Sequence, residues 1–337
     1  MAYRFPMKDV AFQAGLSLAT VDRVLNDRPG VRQTTRARVT AAIDELERQF
    51  GASGLAGRRL SLDVVMEAPT RFADAVRHAF EAELPALRPA NVTVRFHLTQ
   101  RWSEGDLCRL LAQIQKRGSH GVILKAPATP AITEAARRLM DRNVPVATFV
   151  TDLPPDARLA YIGIDNEKAG ATAAGLMAPM LERRSTDVLI TLSSERFSGE
   201  TDRARGFETE LAAIAPDIQV FRAAEGMGLD LGTRSIVEKT LAQHQRIEAV
   251  YSVGGANHAV IEAFQNAARP LRHFAAHDLD RANLGLLSER KLTFVIDHDL
   301  RQDARTACQI MLHHHRRLPS EVAVAPSRFT VVTPQSL

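Results

Sequence analysis

The spacing of apolar positions divides the chain in two. Up to Leu46 they recur only at helical intervals; from Leu60 onward, short apolar runs alternate with amphipathic stretches. In the first part, Val10, Ala11 and Ala14 share one face of a predicted helix beginning near Asp9. Gly15-Leu16-Ser17 then forms a turn, since Gly tolerates backbone angles that a Cβ disfavours. Ser17 offers an oxygen to the orphan amides of the next helix, whose stripe is Val21, Val24 and Leu25 at i, i+3 and i+4. A third helix is predicted over about 33–49, with Val39, Ala42, Ile43 and Leu46 on its buried face. Two short helices around a tight turn fit a helix-turn-helix, whose second helix lies in a DNA major groove, and also fit a purely structural helical hairpin.

In the second part, strands are predicted at 62–66, 92–98, 121–124, 146–150, 160–164, 187–192, 218–221, 249–253, 273–276 and 293–296. Helical patterns separate them; in one, Leu107, Leu110, Leu111 and Ile114 repeat at i, i+3, i+4 and i+7. This βαβ alternation predicts parallel sheets covered by helices on both faces, and ten strands suit two sheets better than one. Between the two parts lies 50–59, FGASGLAGRR, a linker by composition.

Composition adds bounds. The 337 residues suffice for two or three domains, and 45% hydrophobic residues with no long biased run describe an ordinary globular protein. Cys108 and Cys308 stand in unrelated settings, with neither metal-ligand spacing nor a disulfide framework, which fits a reducing, cytoplasmic location. The opening MAYRFPMKDV lacks the apolar core of a signal peptide, and no stretch is long and apolar enough to span a membrane. The net charge of +4 changes the picture more, because residues 1–60 hold ten Lys/Arg against six acids while residues 61–337 hold 33 of each. The whole excess sits on the predicted helical segment, where phosphate attraction would be needed; a solvated basic surface is the plainer reading of the same excess.

The stretch Lys8–Asn26, with its DVA-x-x-AG-x-S-x-x-TV-x-RVLN pattern, followed by Pro29-Gly30-Val31 and Thr35-Arg36, closely resembles the start of lactose-repressor (LacI/GalR) family regulators. The rest resembles that family's periplasmic-binding-protein-like core, marked by Tyr161–Gly170, by Arg203-Ala-Arg-Gly-Phe207 and by Ala276-His-Asp278. The resemblance implies a small all-α helix-turn-helix domain (1–50), a hinge or linker (51–60) and an α/β core (61–337) of two doubly wound parallel-sheet subdomains of periplasmic-binding-protein-like type I. The N-subdomain would take about 61–163 and 298–325, and the C-subdomain about 164–297 and 326–337, with no tetramerising tail. It further implies a ligand-responsive repressor, with double-stranded operator DNA as partner, a small sugar or polyol effector between the subdomains, a homodimer and no cofactor.

The candidate groove contacts are Leu18, Ala19, Asp22 and Arg23, with Ser17, Thr20, Asn26 and Arg36 as phosphate contacts. Asp22 departs from the Ser common in the family; it either reads a base or pairs with Arg23. In the family a hinge Leu wedges into the minor groove, which points to Leu55 in Leu55-Ala56-Gly57-Arg58. The usual aromatic-x-Pro before that hinge is missing, and Gly51, Gly54 and Gly57 disfavour helix, so an ordered hinge helix and a plain tether both stay open. Motif position makes Arg203, Asn257, Asp278 and His298 the polar effector contacts, with Asp152 displaced by two residues from the family's other acid. Phe72 and Trp102 are candidates for an apolar wall.

Other features point elsewhere less strongly. Consecutive His313, His314 and His315 point around a helix and cannot bind one metal from one face. Gly226-x-Gly228 lacks the third Gly of a dinucleotide fingerprint, and Asp297-His298-Asp299 has no identifiable nucleophile to serve. A pure solute-binding protein would share the core but need an export signal, and a sugar-active α/β enzyme would need a reactive constellation; neither catalytic nor metal-binding residues are predicted.

Overall fold

The computed structural model describes residues 5–55, 59–88, 90–182, 186–316 and 325–337. Three helices come first, α1 (Met7–Ala14), α2 (Leu18–Leu25) and α3 (Gln33–Leu55). The apolar stripes read from the sequence meet in one small core of Phe5, Val10, Ala11, Ala14, Val21, Val39 and Ala42, with Val24, Leu25, Ile43 and Leu46 packed against it. Gly15 ends α1 in the left-handed region, at φ 60° and ψ 42°, and Arg38 of α3 donates to the carbonyls of Ala14 (2.7 Å) and Gly15 (3.3 Å). That cation completes the orphan carbonyl end of α1, where the helix dipole also favours it.

Ser17 caps α2, its hydroxyl accepting from the Thr20 amide at 3.2 Å. Ser17→Ala is expected to cost about 1 kcal/mol, read as roughly fivefold faster amide exchange in α2 with the α/β core unchanged. Unaltered exchange would mean that the hydroxyl adds nothing.

The third helix departs from expectation. It continues to Leu55, six residues past the predicted end and into the stretch read as a linker. Once a helix is nucleated, each further residue adds a hydrogen bond, so Gly51 and Gly54 weaken it without stopping it. The Leu55 side chain, and Ala56, Gly57 and Arg58, which carried the hinge reading, lie outside the described residues.

The α/β part runs β1 (Arg59–Glu67), α4 (Thr70–Glu83), β2 (Asn91–Thr99), α5 (Glu104–Arg117), β3 (Val122–Lys125), α6 (Pro130–Asp141), β4 (Val146–Phe149), β5 (Ala160–Ile162), α7 (Asn166–Met177), β6 (Asp187–Thr191), α8 (Ser198–Ile214), β7 (Val220–Ala223), α9 (Asp230–Gln243), β8 (Ile247–Ser252), α10 (Asn257–Asn266), β9 (His273–His277), α11 (Arg281–Ser288), β10 (Phe294–His298), α12 (Leu300–His314) and β11 (Phe329–Val332). One sheet has the order β2-β1-β3-β4-β5, the other β11-β10-β9-β8-β6-β7. All ladders are parallel except β10–β11.

Both faces of each sheet are covered, which is why central strands read as near-continuous apolar runs. In β1, Leu62, Val64 and Met66 face the core made with α4 and α12, while Val65 faces the one made with α5 and α6. In β8, Ala249 and Tyr251 alternate with Val250 in the same way. The chain passes between the two layers three times: between β5 and α7, between β10 and α12, and between α12 and β11. Helix α12 thus returns to the first layer, burying Ala304, Ala307, Cys308 and Met311 beside α4 residues.

Three strands differ most from the sequence reading. β1 begins three residues early, at Arg59, inside the stretch read as linker. β7 begins two residues late, because the Ile218 amide still closes a turn onto Ala215 (3.1 Å). β11 was not anticipated as a strand; four half-exposed residues with no following helix leave almost no periodic signal.

Candidate functional site

On α2 the outward side begins with Leu18, 55% exposed, and exposed Ala19. The Thr20 hydroxyl meets that of Ser17 at 2.8 Å. The anticipated Asp22–Arg23 pair is absent, since neighbours at i and i+1 diverge around a helix. Instead Asp22 accepts from Asn26 Nδ2 at 2.7 Å and lies 3.2 Å from Arg28, while Arg23 donates to the Pro29 carbonyl at 2.7 Å. Arg36 donates to Asp27 at 2.5 Å. These exposed pairs are worth little each, so phosphate could displace them. They nevertheless engage Asp22, Arg23, Asn26 and Arg36 with neighbouring groups of the protein itself. Sequence reading overlooked Phe12 on α1, 89% exposed; its signal was a large apolar residue off the Val10/Ala11/Ala14 face.

A second feature is a solvent-open cleft at the carboxyl ends of the parallel strands of both sheets. The first layer contributes Glu67 from the end of β1, Arg71 and Phe72 from the first turn of α4, and Lys125 from the end of β3. From the second come Phe197, Glu200 and Arg203 around α8, and His277, Asp278, Asp280 and Asn283 near β9 and α11. Parallel strands end in loops at one edge, so residues distant in sequence converge there.

Three sequence candidates, Phe72, Arg203 and Asp278, line this cleft. Four do not. Asp152 is taken by Arg158 (2.6 Å) and by the Thr148 hydroxyl (2.5 Å). Trp102 packs against the α5/α6 core, and its amide donates to Glu67 at 3.1 Å. Asn257 is buried and donates to Asn283 Oδ1 at 2.6 Å, so Asn283 stands at the cleft in its place. His298 is buried behind Asp278, its Nδ1 3.2 Å from the Asp278 carboxylate. Of the remaining features, Asp297 accepts from the Leu279 amide at 2.8 Å and Asp299 caps α12. His315 sits 2.5 Å from the His120 carbonyl.

The residues missed are mostly charged. Arg71 reaches across the cleft from α4 to Asp280 at 3.2 Å and to the carbonyls of Gly228 (3.3 Å) and Gly254 (3.5 Å). Its guanidinium packs against Gly255, whose φ of +79° is the left-handed conformation that favours glycine. Lys125 donates to the Glu67 carbonyl at 3.0 Å and lies 4.1 Å from the Phe197 ring centroid. Burial pushes its pKa below the usual lysine range, against the partial support of Glu200 and Glu67. Burial also drives His277 well below its ordinary value, and its Nε2 is 2.6 Å from the Tyr251 hydroxyl. Burial alone would raise Asp278; His298 outweighs it and holds that carboxyl well below its ordinary value. The sequence signal for this set was only its position at strand ends.

Several polar atoms here are unspent. Glu67 Oε1 and Asp278 Oδ1 are buried without a hydrogen bond among the described residues. Glu200, by contrast, is saturated by the amide (2.7 Å) and hydroxyl (2.5 Å) of Ser193. The Arg203 Nε donates to Asn166 at 2.8 Å while its side chain lines the cleft. The arrangement offers both acceptors and donors, beside the rings of Phe72 and Phe197.

Comparison with known proteins places these two features. Residues 6–47 match the lacI family of bacterial regulatory proteins, and residues 64–316 match the periplasmic binding protein domain. The chain is 28% identical over 222 residues to an uncharacterized HTH-type transcriptional regulator in the aml 5′ region of Streptomyces limosus, covering 62% of this chain and 58% of that one. It is 28% identical over 251 residues to the HTH-type transcriptional regulator reg1 of Streptomyces lividans, covering 71% and 64%. The matches thus span less than two thirds of these curated relatives. Among solved structures, GanP, a glucose-galactose binding protein from Geobacillus stearothermophilus, superposes with a TM-score of 0.73 at 18% identity over 83% of this chain and 99% of that chain, a likeness of fold. With three quarters of its length matching one family model, the chain belongs to the periplasmic binding protein domain family, and its N-terminal helices match the lacI family of bacterial regulatory proteins.

Proposed function

We propose that the protein is a ligand-responsive, DNA-binding transcriptional repressor. It acts in the cytoplasm as a homodimer whose two α2 helices read two half-sites of a near-palindromic operator. The observation that carries this reading is the pairing, on one chain, of a capped helix-turn-helix with an outward Leu18/Ala19 face and a cleft walled by both layers. The division we propose is a helical unit extended to Leu55, where α3 ends, followed by two subdomains from Arg59, where β1 begins.

The effector we assign is a sugar or polyol. Each hydroxyl both donates and accepts, which matches the open acceptor of Glu67 and the carboxylate of Asp278 set against the donors of Arg203 and Lys125. Phe72 and Phe197 suit the apolar face of a sugar ring. Fluorescence anisotropy on DNA upstream of the protein's own gene tests the reading, with and without neutral sugars. Specific binding that weakens steeply with salt is expected; its absence under every condition would sink the proposal.

On such DNA, Arg23→Ala is expected to weaken binding roughly tenfold to a hundredfold, the worth of one good base contact. If the loss were equal on unrelated sequences, Arg23 would be a phosphate contact instead.

A further inference from the structure

Asp278 and Arg203 are the starting points of two chains of polar contacts that leave the cleft and end at the same place. From Asp278 the first runs to His298 Nδ1 at 3.2 Å, and from His298 Nε2 to Asp303 at 3.6 Å. The Ser327 hydroxyl donates to Asp303, and the Ser327 amide donates to the Gly163 carbonyl at 2.8 Å. From Arg203 the second runs through Asn166 (2.8 Å) to the Tyr161 hydroxyl (2.9 Å), which donates to the Ile164 carbonyl at 2.9 Å. Ile164 also forms a β-bridge with Ser327. Gly163 and Ile164 lie on the first passage between the layers, His298 and Asp303 flank the second, and Ser327 is on the third.

The burial of the first chain is what makes it informative. The His298 side chain is 1% exposed and that of Asp303 is 0% exposed. Unpaired, these groups would each destabilise the fold, so the contacts among them constrain one another. Yet both His298 nitrogens and Asp303 Oδ2 lie at ion-pair distance without hydrogen-bond geometry. A set of charges held close but imperfectly aligned has room to realign when one member gains a new partner.

We infer that His298 and Tyr161 are positioning residues that couple the cleft to the three passages between the layers, so that a group bound at Asp278 or Arg203 acts on those passages through them. This rests on the cleft being the effector site, and adds how its occupancy reaches the rest of the chain. A ligand donor taken by Asp278 weakens its hold on His298 and lets the imidazolium move toward Asp303. Burial opposes charge on His298, but Asp278 and then Asp303 outweigh it and raise its pKa above the ordinary histidine value, with Arg203 acting in the opposite sense. The charged or titratable groups around it are His277 at the end of β9 and Asp278 just after it, Asp297 beside it on β10, Asp303 from α12 and Arg203 from α8.

The test needs neither ligand nor DNA, so its failure is distinct from failure of the regulator reading. Hydrogen exchange is followed by mass spectrometry on the full-length protein, corrected for the intrinsic pH dependence of exchange. Asp278→Asn is expected to speed exchange roughly tenfold at 163–166 and 325–328, with β1 and β8 unchanged. By reciprocity Ser327→Ala, made at the third passage, is expected to speed exchange at 277–284. Changes confined to the neighbourhood of each substitution would overturn the coupling. In the native chain, protection at 325–328 is expected to fall as pH rises through the His298 titration, which lies above the ordinary histidine value, and His298→Gln is expected to be flat. A native chain without that pH dependence, or a His298→Gln variant that keeps it, would overturn the role of His298. Tyr161→Phe is expected to loosen 163–166 alone, and no change there would remove the second chain from the proposal.

Discussion

Gly206→Ala is expected to destabilise the second layer by about 3 kcal/mol, the upper end of ordinary overpacking. Helices α7 and α8 touch backbone to backbone. A Cβ on Gly206 would stand 2.1 Å from the Glu167 carbonyl oxygen, and one on Gly170 would stand 1.9 Å from that of Arg203. Neither obstacle is a flexible side chain, so the helices themselves must move apart. Doing so opens the core shared by Ala169, Ala173, Ala204 and Phe207, and shifts Arg203 relative to the cleft. The sign is diagnostic, because Gly→Ala inside an unobstructed helix stabilises by up to about 1 kcal/mol. Gly175, also on α7, has open space for 4 Å around the place a Cβ would take, and serves as the control. Chemical denaturation should therefore lower the midpoint for Gly206→Ala while leaving or raising it for Gly175→Ala. Equal behaviour of the two would show that the helices are not in close contact.

Those two close-contact glycines show what kind of information the sequence carried. Gly170 and Gly206 lie in Tyr161–Gly170 and Arg203–Phe207, segments that marked the family resemblance. In the structure, much of each segment serves the α7–α8 contact, and Arg203 is the member that also reaches the cleft. Local period and turn chemistry made the three N-terminal helices and ten of the strands legible. Less legible was whatever depended on distant partners. Lys125, Glu67 and Asp280 become neighbours only because parallel strands end at one edge, and nothing in their immediate sequence marks them. Asp152, Trp102, Asn257 and His298 were placed by analogy of position, but each is committed to a protein partner or a core that the sequence does not display. β11 escaped because its four residues are at most half-buried and no following helix completes a βα pattern among the described residues.

Asp63→Asn is expected to be comparably damaging, at about 3 kcal/mol, with a pH signature that identifies its cause. Asp63 on β1 is 0% exposed, in a strand whose flanking positions are apolar core. Its carboxylate accepts from Arg95 at 3.0 and 2.6 Å, from His97 at 2.8 Å and from Arg117 at 2.7 Å. Arg95 and His97 lie on β2, the edge strand of the first sheet, and Arg117 ends α5. One buried charge thus ties an edge strand and a helix to the centre of the sheet. Burial alone would raise the Asp63 pKa, but the bonds from His97 and Arg95 outweigh it and hold the group well below the usual carboxylate range. A depressed native pKa gives stability that is fully present above the unfolded value, near 4, and is lost as pH falls through the native one. Asparagine keeps the shape but not the charge, and turns an amide toward three donors. The gap in stability between native and Asp63→Asn chains should stay constant from about pH 5 to 8, then narrow in acid as the native carboxylate takes up its proton. A gap that persists unchanged into acid would assign the loss to packing instead. The partly exposed arginines can rehydrate in the variant, which is why the expected loss lies at the lower end for breaking a buried pair.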